Sequence, residues 1–63
     1  MDGTIKFYNS KKGYGFITTA ENQEVFFHAT DIENQEELNE GDKVKYDTTR
    51  GDRGLKAIKV LKV

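Results

Sequence analysis

Two short segments carry the side chains best placed to act on a ligand. Lys12-Gly13-Tyr14-Gly15-Phe16-Ile17 interleaves rings with glycines behind a lysine, and Val25-Phe26-Phe27-His28 follows shortly downstream. Flat rings offer π-faces to planar groups, and nearby lysines neutralise anions. Other chemistries fail on inventory. Ser10 is the sole serine, and the sole histidine, His28, has no cysteine or second histidine with which to share a metal, so beside Phe26 it reads as a stacking ring and not as a base or ligand. Asp31, Glu33 and Gln35 follow the early spacing of a calcium loop, but Glu36 stands where that loop requires glycine. Gly13-Tyr14-Gly15 does not extend into a dinucleotide fingerprint or a phosphate-binding loop. Neither catalysis nor a cofactor or metal is expected.

The elements that must position these side chains are short. The chain has 63 residues, 35% hydrophobic and 33% charged, with neither cysteine nor proline. A chain of this length buries only about 60% of the surface its unfolded form exposes, which limits it to a single domain, 1–63, with a thin core. Nothing in it is apolar for long enough to span a bilayer, and its N-terminus lacks a signal-like apolar stretch. Together with the missing cysteines, this predicts a soluble protein of a reducing, cytoplasmic compartment.

Apolar residues alternate, which predicts strands over Gly3–Asn9, Tyr14–Thr19, Glu24–His28, Lys43–Thr48 and Leu55–Lys62. Ser10-Lys11-Lys12-Gly13 is read as a tight turn, and Arg50-Gly51-Asp52-Arg53-Gly54 as a glycine-punctuated one. Five short strands favour a closed or nearly closed barrel, because an open sheet would leave unprotected edges. Ala29 to Gly41 is read as a solvated loop anchored at Leu38, with room for a helical turn at Glu36-Glu37-Leu38.

Period-two parity then assigns faces. Ile17 must point inward, which puts Tyr14 and Phe16 outside. Val25 and Phe27 are natural core residues, leaving Phe26 and His28 outside as well. The first strand conflicts with this pattern: strict alternation puts Phe7 inside with Ile5. Phe7 joins the outer rings only if a bulge breaks the register near Lys6 and Phe7. A contiguous patch of exposed rings usually marks a binding surface, for a protein partner or for unpaired bases, unless the rings cover a second small core. With Lys6, Lys11 and Lys12 nearby, the patch has what single-stranded nucleic acid requires.

The net charge of −1 conceals a segregation. From Asp31 to Asp42 there are six acids and no lysine or arginine; elsewhere the basic residues outnumber the acids ten to five. A near-neutral total therefore leaves room for a basic face.

Lys12 to Ile17 matches the basic-Gly-aromatic-Gly-Phe-aliphatic core of the aromatic ribonucleoprotein motif. In the RNA-recognition-motif fold the shorter motif comes first and two helices are needed; here the order is reversed and no segment reads as a long amphipathic helix. The sequence instead resembles the bacterial-type cold-shock proteins over essentially its whole length. Gly3-Thr4-Ile5-Lys6-Phe7-Tyr8-Asn9 is similar to that family's opening strand, Leu38-Asn39-Glu40-Gly41 to its lead-in to the fourth strand, and Gly51-Asp52-Arg53-Gly54 to its final turn. The resemblance implies an all-β, five-stranded antiparallel OB-fold barrel. It also implies sequence-tolerant binding of single-stranded RNA and DNA by a monomer that acts as an RNA chaperone. A protein-interaction module built on the same rings is the alternative.

The matching positions are Lys6, Phe7, Asn9, Lys12, Tyr14, Phe16, Phe26, His28 and Arg53. The resemblance implies that the rings stack, that Lys6, Lys12 and Arg53 meet phosphate or base edges, and that Asn9 hydrogen-bonds. Read from the residues alone, Asn9 serves equally well as a cap on the Ser10-Lys11 turn, and Arg53 as a solvated turn residue. Phe7 stands where most members carry tryptophan, Ala29 where another stacking phenylalanine is usual, and Leu55 where proline is common. The 29–41 loop has no aromatic and is a little shorter than usual. With each ring platform worth about 1–3 kcal/mol, weaker binding or a shorter site than in a typical member is expected.

Overall fold

A computed structural model of the chain describes residues 1–33, 37–51 and 54–63. Its strands are β1 (Asp2–Asn9), β2 (Tyr14–Thr19), β3 (Glu24–His28), β4 (Lys43–Gly51) and β5 (Gly54–Lys62), with one 3₁₀ turn over Ala29–Asp31 after β3. β2 and β3 have the bounds that alternation predicts. β4 runs past the expected Thr48, because Thr49↔Lys56, Arg50↔Leu55 and Gly51↔Gly54 continue its ladder with β5. Arg50 and Gly51 are therefore strand residues, and not part of a turn.

The strands close into a barrel in the order β1-β2-β3-β5-β4. A ring of five strands cannot alternate direction all the way round, so one neighbouring pair must be parallel. That pair is β3 with β5, joined at Phe26↔Lys56, with the bridge Ile32↔Val60 beyond it. The expected antiparallel barrel thus holds except at this seam.

Inside lie Ile5, Ile17, Val25, Phe27, Ile32, Leu38, Val44, Tyr46, Ala57 and Val60, with no charged side chain among them. The β1 register breaks as the outer position of Phe7 requires. Ile5 pairs with Ile17 and Phe7 with Phe16, leaving Lys6 as the extra residue of a bulge. Ile5 is therefore 1% exposed and Phe7 37%. The shifted parity turns Tyr8 inward, where its ring stacks on Phe27 at 5.6 Å.

The loop after β3 departs from expectation. It has two apolar anchors, Ile32 as well as Leu38, and its helical turn is at Ala29–Asp31. Glu36 lies outside the described residues, and Leu38 is in irregular backbone. The acidic run is also less free than a solvated loop: Asp31 pairs with Lys56 at 3.3 Å and Asp42 with Lys62 at 3.4 Å, tying it to β5.

Candidate nucleic-acid interface

The register that buries Ile17 and Phe27 builds a row of side chains across the outside of the sheet. Phe7 pairs with Phe16, Phe16 with Phe26, and Phe26 with Lys56 across the seam. One step along, Asn9 pairs with Tyr14 and Tyr14 with His28. The rings lean together without closing into a core. Tyr14 lies 5.8 Å from Phe7, 6.2 Å from Phe16 and 6.1 Å from Phe26, and Phe16 lies 5.8 Å from Phe26. Phe7 and Phe26 are exposed, while Tyr14 and Phe16 are half-buried by their neighbours.

Two glycines set this geometry. Gly13 has φ +76°, a left-handed conformation that lets its N–H donate to the Asn9 carbonyl and close the β1–β2 turn. Gly15 shares the inward parity of Ile17. A β-carbon there would collide with the Phe7 carbonyl oxygen and sit 2.7 Å from Phe27 Cζ. The close approach that Gly15 permits is therefore the protein's own, bringing β1 and Phe27 against β2.

Three of the polar candidates have intramolecular engagements. Asn9 Oδ1 accepts from the backbone N–H groups of Lys11 (3.0 Å) and Lys12 (3.1 Å), so its oxygen caps the turn. The ammonium of Lys6 pairs with Glu24. His28 Nδ1 accepts from the Thr30 N–H at 3.3 Å, and the Asp31 carboxylate accepts from the His28 N–H at 3.0 Å, a reciprocal cap on the 3₁₀ turn. His28 is exposed and adjoins the ring row, but its orientation is fixed by the turn. Lys12 is exposed and makes no ion pair among the described residues. Arg53 lies outside the described residues.

Other lysines lie away from the rings. Lys43 and Lys45 line a separate groove with Thr4, Thr18 and Val63. Beyond Phe16 and Phe26, an open cleft of about 740 Å³ continues onto the β4–β5 hairpin, lined by Arg50, Leu55 and Lys56. In sequence these read as turn and strand residues. The inward parity of Ala57 is the only local signal that Lys56 points out, and its neighbour Phe26 is fixed by the seam. No cluster of metal-ligating side chains occurs among the described residues, and no helix among them is long and apolar enough to cross a membrane.

A small closed barrel with rings on its outer wall defines a class of nucleic-acid-binding domain, and comparison with known proteins identifies the family. The "'Cold-shock' DNA-binding domain" family model matches residues 1–63. "Major cold shock protein" of Streptococcus pyogenes serotype M1 is 41% identical over 63 residues, covering 97% of this chain and 94% of the relative. "Cold shock protein 2" of Lactiplantibacillus plantarum is 44% identical over 61 residues, covering 94% and 92%. Among solved structures, "drosophila Unr CSD456" superposes with a TM-score of 0.80 at 28% identity, over 98% of this chain and 26% of that one. The chain belongs to the cold-shock domain family, whose members bind nucleic acids and in general are not enzymes.

Proposed function

We propose that this cold-shock domain binds single-stranded RNA and DNA with little sequence preference and, as a monomer, acts as an ATP-independent RNA chaperone. The observation that carries this reading is the outer row Phe7–Phe16–Phe26 with Tyr14 packed beside it, Tyr14 lying 5.8 to 6.2 Å from each of the three rings between centroids. Every base has a π-face, so such a row holds bases without reading their edges. Phe7, Tyr14, Phe16, Phe26 and His28 take the bases. Lys6 and Lys12 meet phosphates, joined by Arg53, and the Asn9 amide N–H₂ remains to donate once its oxygen has capped the turn.

Capturing unpaired bases favours the open form of a hairpin by mass action. Only structures whose stability is below the binding free energy are opened. No nucleotide hydrolysis is needed for that shift.

Titration with short unpaired oligonucleotides, a duplex control and several salt concentrations tests the reading. Unpaired strands should bind and the duplex should not. The log-log salt slope should be roughly −2 to −4, as three to five cation–phosphate contacts give. A flat salt response, or equal affinity for the duplex, would identify the ring row as a protein-interaction surface or as unused.

A further inference from the structure

β3 ends at His28, and beyond it the chain leaves the sheet for the 3₁₀ turn Ala29–Asp31. An exposed side chain at the end of a strand is ordinarily ordered only when a ligand arrives, and that ordering weakens binding. Here the ordering is done in advance. Thr30 brings its hydroxyl and its N–H to His28 Nδ1, at 3.1 and 3.3 Å. The far edge of the imidazole lies 3.9 Å from where a β-carbon on Gly13 would stand, and the Ala29 N–H donates to the Gly13 carbonyl at 2.8 Å. The next residue closes the turn. One oxygen of Asp31, Oδ2, accepts from the His28 backbone N–H at 3.0 Å and pairs with the Lys56 ammonium at 3.3 Å. This side chain is only 13% exposed. It reaches from β3 to β5 across the parallel seam, so the turn that holds His28 is anchored from both sides.

We propose that Asp31 is a positioning residue for strand binding. By capping the His28 N–H it sets the turn that holds the His28 ring beside its cross-strand partner Tyr14, ready for a base. The proposal rests on the single-strand reading of the ring row, in which His28 takes a base. Asp31 acts through His28 and makes no contact with the strand. Its charge gives the role a distinctive sign. A carboxylate beside the path of a polyanion weakens binding by repulsion, whereas positioning strengthens it. The direction in which affinity moves when Asp31 is removed therefore tells the two effects apart.

An eight-nucleotide oligothymidylate, titrated at several salt concentrations, tests it with Asp31→Ala and Asp31→Asn, each in the wild-type and the His28→Ala background. Circular dichroism checks that each variant is folded. Asp31→Ala should weaken binding about two- to tenfold, the share of one side chain that must now be ordered on binding. Its log-log salt slope should stay that of wild type, because no phosphate contact is lost. Asp31→Asn retains an oxygen that accepts from the His28 N–H, and should bind within about twofold of wild type, since the cap is kept. With His28→Ala, the further change Asp31→Ala should cost nothing, the mark of two residues acting as one. Unchanged or tighter binding by Asp31→Ala overturns the proposal. So does an equal loss in the His28→Ala background, or Asp31→Asn binding as weakly as Asp31→Ala. Independently of any variant, NMR scalar couplings in the unbound wild type should give His28 a single χ1 rotamer; averaged couplings would overturn it too. If the wild type does not bind the oligonucleotide at all, the ring-row reading fails and this role of Asp31 with it.

Discussion

Phe26 and Phe27 are consecutive, of the same type and on the same strand, yet Phe26 is 37% exposed and Phe27 0%. Phe27 fills the barrel interior, where Tyr8 stacks on it and Gly15 makes room for it. Phe26 lies among Tyr14, Phe16 and the cleft. The pleat thus separates two functions by a single residue. The inner set makes a chain this small fold at all, and the outer set is the one proposed to hold a ligand. Substitutions one position apart should therefore damage different properties.

The largest effect is expected on the inner side. Phe27→Ala removes the largest fully buried side chain and should cost about 3–5 kcal/mol, the range for truncating a buried aromatic. That is comparable to the whole stability of many domains of this size. Urea denaturation should show the variant largely unfolded in dilute buffer. Phe26→Ala should leave the denaturation midpoint close to wild type and reduce oligonucleotide affinity by about 1–3 kcal/mol, the loss of one stacking platform. If Phe26→Ala unfolds the protein while Phe27→Ala merely weakens binding, the assignment of faces is inverted.

This division was legible in the sequence where alternation is strict. β2 and β3 come out with the expected bounds and faces, because their buried positions are Gly15, Ile17, Val25 and Phe27 and every ring between them must point out. The first strand was legible only as a conflict. Alternation alone cannot decide which of two rings a bulge releases; packing decides it by stacking Tyr8 on Phe27 and leaving Phe7 outside. Ile32 was hidden for a different reason. Flanked by Asp31 and Glu33, it has no periodic partner in the chain, and its burial comes from the bridge to Val60 across the barrel. The cleft was the least legible feature, since Arg50, Leu55 and Lys56 meet Phe16 and Phe26 only through the parallel closure. No local pattern encodes that contact.

Folding also shifts the titration of a tyrosine on the inner side. Tyr46 is buried, and burial raises its phenol pKa above the ordinary value of 10.0, with the negative charges of Glu21 and Asp2 adding to the effect. A phenol whose pKa is raised by folding favours the native state while it stays protonated. That contribution is fully present below about pH 10 and is lost as pH climbs through the higher native value. Stability measured from about pH 8 upward should therefore be flat at first and fall beyond about pH 10. Tyr46→Phe should remove this part of the alkaline loss. An unchanged alkaline profile in the variant would assign the loss to other groups.

The smallest expected effect is on the outer side, at Lys6 and Glu24. Both side chains are about half exposed, so solvent screens the pair and its contribution to stability should be within about 0–1 kcal/mol. Its consequence for binding is larger in kind than in size. A phosphate approaching Lys6 must compete with a carboxylate already in place, so Glu24→Gln frees the cation without touching a ring. The variant should unfold at nearly the wild-type midpoint, bind single strands slightly more tightly, and show a log-log salt slope steeper by up to about 0.7. If affinity falls instead, Glu24 is itself a ligand contact, accepting a hydrogen bond from a base edge while Lys6 donates one. The outer face would then read bases as well as stack them.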